Sequence, residues 1–305
     1  MRKSLLLAGL LGMGFSMPAA VMADDAAAAP AAAAPAPAAA PAPNWTFPGS
    51  VSLVSDYLWH GQTQTWGKPA VQVGIEADHA SGFYAGFWGS NVSSHWLPNA
   101  NLETDWSVGF RNTFATDFRY DFGGTYVYYP NGNFDKAAIG GVPQYYKSSK
   151  LNTVELYGIL GWKWFTLKGG YNPTKFYGWN YNNSGRDLTP SSFNGAPHDG
   201  VDPNGNTRGS GYVMASANYD LPLSFNIAGE VGRQMISDST GLDWTWYKVG
   251  LTKSFEGGWS VNGAVSGTSG TNAYHKFLSF DNTPVGTASK EIDKTKFLLT
   301  LTKSF

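Results

Sequence analysis

Charged side chains recur at every second residue along several stretches of this 305-residue chain. Glu103 and Asp105, for example, alternate with Leu102 and Trp106. This period of two, with one charged and one apolar side, is typical of a β-strand between two different environments. Because an isolated charge is costly in hydrocarbon, we expect the charged side to line water or to form ion pairs. The predicted inward set is Asp56, Glu76, Asp78, Glu103, Asp105, Arg111, Arg119, Asp121, Glu155, Lys168, Glu230, Lys248 and Lys296.

Catalysis and metal binding are weaker interpretations of the same residues. His60, His95, Ser93 and Ser94 fall in predicted loops and could serve acyl hydrolysis at a lipid surface, but a triad is recognised by geometry and not by sequence order. The chain has no cysteine, and His79 alternates to the face opposite Glu76 and Asp78. The Asp- and Asn-rich stretch at 199–206 matches no calcium loop. We therefore expect no catalytic residue, metal or cofactor.

The elements that must position the charges are predicted strands. Twelve alternating segments begin near Val51, Val71, Phe83, Leu102, Phe118, Val154, Phe165, Tyr212, Leu223, Tyr247, Trp259 and Phe297. Long polar connections and short turns follow one another in strict alternation, which is typical of outer-membrane barrels. The sequence thus predicts an all-β, transmembrane, antiparallel up-and-down β-barrel of about twelve strands, with short periplasmic turns and long extracellular loops.

Aromatic residues near the strand ends predict two membrane-interface girdles, because one edge of each ring can stay wet. The long-loop girdle would contain Trp59, Trp66, Trp88, Trp96, Tyr128, Tyr129, Trp179 and Trp244, and the short-turn girdle Trp164, Phe255, Trp259 and Phe305. Lys253 and Lys303 have lipid-facing parity. In mid-strand each would cost ~2–4 kcal/mol, so we expect both near the rim.

The last strand ends on an aromatic residue. Phe297, Leu299, Leu301 and Phe305 share one face, and Leu301 to Phe305 repeats the pentapeptide of Leu251 to Phe255. This ending is typical of the closing strand of a bacterial outer-membrane barrel. We expect these four residues to form the signal that the barrel-assembly machinery binds.

The amino terminus predicts the compartment. Arg2 and Lys3 precede an apolar run that is too short to span a bilayer, so residues 1–23 are predicted to be a secretory signal peptide. Residues 24–43 are almost entirely Ala and Pro and predict a disordered leader, and residues 44–305 form the barrel. A formal net charge of -1 argues against nucleic-acid binding. The predicted location is the outer membrane of a Gram-negative cell.

The segment Ser52 to Thr65, SLVSDYLWHGQTQT, resembles the TorF porin family, formerly a conserved hypothetical family and Gcw_chp-like. The match continues through Pro69 to Gly74 and Ser81 to Val92, and includes Glu103 to Asp105. The resemblance implies an outer-membrane barrel and a diffusion channel, with no catalytic residues. His60 stands where that family usually has arginine, so a fixed positive charge is not implied there.

Two functions stay open at this stage. One is a passive channel for small hydrophilic solutes, with weak cation preference because acids exceed bases in the inward set. The other is a barrel filled by its own side chains, whose extracellular loops bind a surface partner. Inward glycines (Gly74, Gly109, Gly170, Gly232 and Gly250) favour an open path. The loop 173–208 should distinguish the two, since a loop folded into the lumen is a constriction and a loop standing clear is a recognition surface.

Overall fold

Twelve long strands make up most of the computed structural model, which describes residues 44–139, 142–143, 146–180, 183, 202–203, 205–270, 274, 277–281 and 289–305. We label them β1 (Gly49–Val54), β2 (Ala70–His79), β3 (Phe83–Asn91), β4 (Leu102–Phe114), β5 (Phe118–Tyr128), β6 (Thr153–Trp162), β7 (Phe165–Tyr171), β8 (Gly211–Leu221), β9 (Phe225–Met235), β10 (Trp244–Phe255), β11 (Trp259–Ser269) and β12 (Lys296–Ser304). The predicted signal peptide and leader lie outside the described residues.

Each strand pairs antiparallel with its neighbours in sequence, and β1 pairs with β12 to close the sheet into a barrel. The strand count and the up-and-down order are confirmed. Closure removes both sheet edges, so every strand has a hydrogen-bonded partner on each side. In the described part of the chain, no helix is long and apolar enough to cross a membrane.

The connections alternate in length as predicted. The long loops span 55–69, 92–101, 129–152, 172–210, 236–243 and 270–295, and the short turns span 80–82, 115–117, 163–164, 222–224 and 256–258. All long loops therefore lie at one end, the loop end, and all short turns at the other, the turn end. The loops carry short strand pairs (Leu58–Trp59 with Gln62–Thr63, Ala138–Ile139 with Val142–Pro143, Asp202–Pro203 with Ser239–Thr240, Phe277–Leu278 with Ser289–Lys290) and 3₁₀ turns at Phe134–Lys136 and Phe176–Gly178. Trp45–Thr46 pairs with the end of β2, and Glu256–Gly258 is a 3₁₀ turn between β10 and β11.

The wall has an apolar exterior and a polar interior. Val108 is 63 % exposed on the outside of β4, whereas Asp105 and Ser107 on the opposite parity are buried. β12 shows the same pattern, with Leu299 exposed and Thr302 buried. This is the reverse of a soluble protein and is the polarity of a membrane-spanning barrel.

Glycines on the inner wall hold aromatic rings and do not leave open space. Tyr84 lies directly opposite Gly109 and packs on its Cα, and Trp246 packs in the same way on Gly232. Tyr212 fills the space over Gly170. The expectation that Gly109, Gly170 and Gly232 leave the lumen open is therefore wrong. Each glycine lets a ring lie flat against the wall, because a Cβ at that position would overlap it.

The predicted aromatic girdle is confirmed at the turn end only. Trp164, Phe255, Trp259 and Phe305 are each about half exposed or more on the outside of the barrel. The Lys253 ammonium donates to the carbonyl oxygen of Leu223, and the Lys303 ammonium donates to that of Gly257, both in short turns. Both lysines thus lie at the rim, as predicted.

At the loop end most of the predicted girdle residues face inward. Trp59, Trp66, Trp88, Tyr129 and Trp244 are all less than 10 % exposed, and Trp96 and Trp179 pack against the same interior cluster. Only Tyr128 stands outside. The girdle prediction is wrong here for two reasons. Trp88 and Trp244 lie within β3 and β10 on the inward parity, and the other inward-facing members lie in loops that fold over the lumen.

Candidate functional site in the barrel lumen

One arc of the inner wall, from β2 to β7, carries most of the charge. At its turn end the Arg111 guanidinium binds both Glu76 and Asp78 and lies 4.3 Å from the centre of the Tyr84 ring. Arg111 is also the cross-strand partner of Asp121. One cation thus balances three carboxyl groups, two from β2 and one from β5.

A pair of tyrosines, Tyr84 on β3 and Tyr157 on β6, lies on the inner face of this arc. The Tyr84 hydroxyl donates to Asp121 at 2.7 Å and also contacts the Tyr157 hydroxyl. Tyr157 lies opposite Gly123 on β5, so its ring also lies along the wall. The pair provides hydroxyl groups to the lumen while keeping both rings against the sheet.

Lys168 and Glu155 form an ion pair closer to the loop end. Their charged atoms are 3.7 Å apart, and the Lys168 ammonium lies 4.9 Å from the centre of the Tyr157 ring and 5.4 Å from that of Tyr212. The Tyr212 hydroxyl donates to Glu155 at 2.7 Å. The ion pair is fully enclosed and is held by aromatic side chains on both sides.

Glu103 and Asp105 stand apart from the other acids because no cation pairs with them. Both point inward near the loop end of β4 and are buried, and neither forms a salt bridge in the described part of the chain. The Tyr57 and Tyr129 hydroxyls lie near Glu103. The Glu103 Oε2 and the Asp105 Oδ1 have no hydrogen-bond partner among the described residues. These two groups are the inward carboxyl groups that have no cation beside them.

The remaining predicted inward residues also have interior partners. Arg119 donates to Thr166 and to the carbonyl oxygen of Lys163 near the turn end. Glu230 accepts from the Trp246 indole nitrogen at 3.1 Å and is the cross-strand partner of Lys248. Asp56 lies beyond the end of β1, where it pairs with Lys296 at 2.5 Å. None of the thirteen residues projects from the lipid-facing side.

The opposite arc, from β10 through β12 to β1, carries small polar groups. Ser52 and Thr302 bond to each other at 2.8 Å, and the amide of Asn262 donates to Thr252 at 2.9 Å. Ser260 and Ser266 are buried on the same side. The interior is therefore asymmetric: the charged arc faces an arc on which small hydroxyls and amides predominate and Lys248 and Lys296 are the inward charges.

A short hairpin between β1 and β2 fills much of the loop end. We call residues 57–66 the mouth hairpin. Trp59 pairs with Gln62 across it, and Asp56 at its base accepts from Thr63 at 2.5 Å and Thr65 at 2.9 Å. With the Asp56–Lys296 pair, these bonds fix the hairpin to the wall at β12.

The tip of the mouth hairpin reaches β8, β9 and β10. The His60 ring stacks on Trp246 with 3.8 Å between ring centres, and its Nδ1 is 3.0 Å from the amide oxygen of Gln234. The Trp244 indole nitrogen donates to the carbonyl oxygen of His60 at 2.8 Å. Burial lowers the pKa of His60 to about 3, so the ring is neutral at physiological pH.

The described start of the loop 172–210 also folds inward. Phe176 and Tyr177 are buried against Trp59, and Phe176 lies near Trp244. Of the two alternatives for the loop 173–208, its described first part has the inward-folded arrangement. Residues 181–182, 184–201 and 204 lie outside the described residues.

A family model described as "Bacterial protein of unknown function (Gcw_chp)" matches residues 38–305. The chain belongs to the Gcw_chp family. No curated protein matches this family member. Among solved structures it is similar to the KdgM porin in complex with disordered oligogalacturonate, at 10 % identity over 85 % of this chain and 99 % of that one, with a TM-score of 0.46. It is also similar to the NanC porin (9 %, 84 % and 98 %, 0.42) and to OccAB1 of Acinetobacter baumannii (16 %, 82 % and 60 %, 0.40).

The described histidines of this Gcw_chp member, His60, His79 and His95, form no catalytic triad. The His95 Nδ1 is 2.8 Å from both the Ser279 hydroxyl and the Asp281 carboxylate, whereas a triad places serine and acid at opposite ring nitrogens. His79 bonds Ser81 in an exposed turn, away from Glu76. Within the described ranges no group of three metal-ligating side chains comes together.

Sequence reasoning found the charged arc but missed the mouth hairpin. The first predicted segment, which begins near Val51, ends as a strand at Val54, and the mouth hairpin follows. One signal was available. The alternation of apolar and polar residues fails after Asp56, and four successive residues, Gln62 to Thr65, have no apolar partner face. A polar run inside an aromatic segment indicates a chain that turns inward and not a longer strand.

Proposed function

We propose that the protein is an outer-membrane porin, a passive diffusion channel for small hydrophilic solutes. The observation that carries this proposal is the polarity of the closed wall, with an apolar exterior and charged residues inside. A lipid exterior and a hydrated interior satisfy both surfaces at once. The resemblance to the TorF porins supports the same function.

The outer membrane is the compartment that suits a β-barrel with short turns at one end. The predicted signal peptide at 1–23 would bring the chain across the inner membrane, and β12 would present Phe297, Leu299, Leu301 and Phe305 to the assembly machinery. All four side chains are exposed on the outer face of the barrel. That exposure is what a signal read from the lipid side requires.

The interior favours cations weakly in this proposal. The inward set contains eight carboxylates and five cationic side chains. Most are paired, so their fields largely cancel at a distance. Glu103 and Asp105 have no salt-bridge partner in the described part of the chain, and they lie toward the loop end of β4.

Single-channel recording in a planar bilayer tests the proposal. In a potassium chloride gradient we expect stable single-channel current steps, with a reversal potential shifted toward the equilibrium potential of potassium. The double variant Glu103→Gln, Asp105→Asn should move that potential toward zero. Glu256→Gln, in an exposed short turn, is the matched control and should leave it unchanged. Folded protein, verified by heat-modifiable gel mobility, that gives no steps would sink the porin proposal.

A filled barrel whose loops bind a surface partner is the second candidate. The observation that favours it is the aromatic packing of the mouth, where Trp59, Phe176, Tyr177 and Trp244 form one cluster. Lys296→Met would free Asp56 and loosen the mouth hairpin. Under the filled-barrel candidate wild type is silent and the variant conducts, whereas under the porin proposal both conduct and the variant has the larger steps.

A further inference from the structure

Three lysines come together at the loop end, where the mouth hairpin meets β12. Lys68 follows the hairpin, Lys290 lies in the loop 270–295, and Lys296 begins β12. A Cβ on Gly67 would lie 2.7 Å from the Lys290 Nζ and 3.7 Å from the Lys296 Nζ. Both nitrogens therefore lie around the same point, and two ammonium groups this close repel each other.

Gly67 keeps the space beside these two charges open. Its φ of +71° is in the left-handed region that favours glycine, and any larger residue would fill the position next to the ammonium groups. Lys68 adds a third charge. Burial and the ammonium groups of Lys296 and Lys68 lower the pKa of Lys290, so the three cations act on one another.

Asp56, the carboxylate among these lysines, is already used in holding the mouth hairpin. Its Oδ2 pairs with Lys296 at 2.5 Å. Its Oδ1 accepts from Thr63 at 2.5 Å and from Thr65 at 2.9 Å. In the described part of the chain, no carboxylate forms a salt bridge with Lys290 or Lys68. Three ammonium groups and one carboxylate leave an excess of two positive charges.

The Lys290 side chain is held in place with donors to spare. Its Nζ donates to the carbonyl oxygen of Trp66 at 2.5 Å and lies 5.9 Å from the centre of the Trp66 ring. The carbonyl takes one of the three N–H donors of the ammonium group. Lys290 and Lys296 are partly exposed and Lys68 is exposed, so a solute in water reaches all three.

The chemistry of the three lysines selects the ligand. A phosphate or carboxylate group has several oxygens, so it accepts charge-assisted hydrogen bonds from more than one ammonium group at once. It also supplies the negative charge that Asp56 does not provide. A neutral solute would leave the repulsion between Lys290 and Lys296 unchanged.

We propose that Lys290, Lys296 and Lys68 form an oxyanion-binding site at the mouth, which takes a phosphate or carboxylate group of a solute. The inference deepens the proposed function by naming a chemical group of the solute, and it rests on that function only for the route of entry. Glu103 and Asp105 belong to β4, whereas the lysines lie beside β1 and β12. An oxyanion held at the mouth is therefore compatible with weak cation preference in the lumen.

Phosphorus NMR of inorganic phosphate, titrated with the folded barrel in a phosphate-free detergent, tests the proposal. We expect saturable line broadening with a dissociation constant on the order of millimolar, because partly exposed charges are screened by water. Lys290→Gln should weaken binding about fivefold, and Lys290→Arg, which keeps the charge, should largely retain it. Acetate should compete with phosphate.

Lys294→Gln is the matched control. Lys294 is a cation of the same loop, its side chain is 67 % exposed, and it lies 4.0 Å from Glu291. The variant removes the same charge outside the proposed site and should bind phosphate as wild type does. An equal loss in Lys294→Gln and Lys290→Gln would mean that only net charge matters, and it would overturn the site.

Two further results would also overturn the proposal. One is the absence of line broadening with folded wild type, verified by heat-modifiable gel mobility. The other is displacement of phosphate by micelles containing phosphatidylglycerol but not by acetate, which would assign the lysines to a lipid headgroup. Should Lys290→Gln fail to fold, Lys68→Gln carries the test. Phosphate binding without channel steps would uphold this site and reject the porin, while steps without binding would do the reverse.

Discussion

The two ends of the barrel are both rich in aromatic residues but use them differently. At the turn end Phe255, Trp259 and Phe305 point outward and are about half exposed or more. At the loop end Trp59 and Trp244 point inward and are almost fully buried. The same residue types therefore lie at the lipid interface at one end and form a hydrophobic core at the other.

The difference follows from what each end has to cover. A short turn leaves the last outward-facing residue of a strand at the membrane interface, where a ring can keep one edge wet. A long loop returns over the lumen and brings apolar residues with it, and these must find a dry environment of their own. They pack against one another, so the loop end behaves like the core of a soluble domain inserted in the wall.

The largest predicted contrast comes from removing one tryptophan at each end. Trp244→Ala should lower the free energy of unfolding by about 3–5 kcal/mol, because it leaves a cavity in a packed cluster. Trp259→Ala should cost roughly 1 kcal/mol, since half of its ring is already exposed. Urea titrations of both variants in vesicles, followed by gel mobility, measure the two values. Equal losses at the two ends would mean that the loop end has no core.

The second prediction concerns acid. The pKa of buried His60 is about 3, below the ordinary value of 6.5, so its contribution to stability is complete above pH 6.5 and is lost as the pH falls from 6.5 toward 3. The full loss is on the order of a few kcal/mol. His60→Gln can still meet Gln234 but does not titrate. The stability difference between wild type and His60→Gln should therefore shift between pH 6.5 and 4, and a constant difference would refute the buried neutral ring.

The smallest effect is expected at the turn end. Lys303→Gln should change the free energy of unfolding by about 0.5 kcal/mol or less, because the ammonium lies at the rim and bonds the carbonyl oxygens of Gly257, in a turn, and Ser304, at the end of β12. Val249→Lys puts the same charge on the outside of β10 in mid-strand, where ~2–4 kcal/mol should be lost. If Lys303→Gln were as damaging as Val249→Lys, the rim placement of Lys303 would be contradicted.

Most of the wall could be predicted from the sequence. Parity along β4 separates Glu103 and Asp105 from Leu102 and Trp106, and the structure places the two sets on opposite faces. Strand count and loop alternation followed because a barrel repeats one simple pattern. The pattern is local, so a single chain suffices to read it.

The mouth could not be predicted in the same way. Trp59 and Trp244 are far apart in sequence and meet only because the mouth hairpin crosses toward β10. A chain segment that leaves the sheet has no regular alternation of polar and apolar residues. The pairing of inward rings with glycines depends on the strand register, which the inward and outward alternation alone does not fix. Gly109 has meaning only once Tyr84 is known to lie opposite it.

The ring–glycine pairs have a consequence for assembly. A slip of two residues between strands preserves the inward and outward faces, so the alternation of polarity cannot reject it. Such a slip would move Tyr84 from Gly109 to Ser107 or Arg111 and Trp246 from Gly232 to Glu230 or Gln234, where a side chain occupies the space of the ring. Each glycine therefore accommodates the ring of the neighbouring strand only in the correct register. With Tyr157 on Gly123 and Tyr212 on Gly170, four such ring–glycine pairs are spread from β3 to β10. They favour the correct register over two-residue shifts that keep the same residues inside and outside.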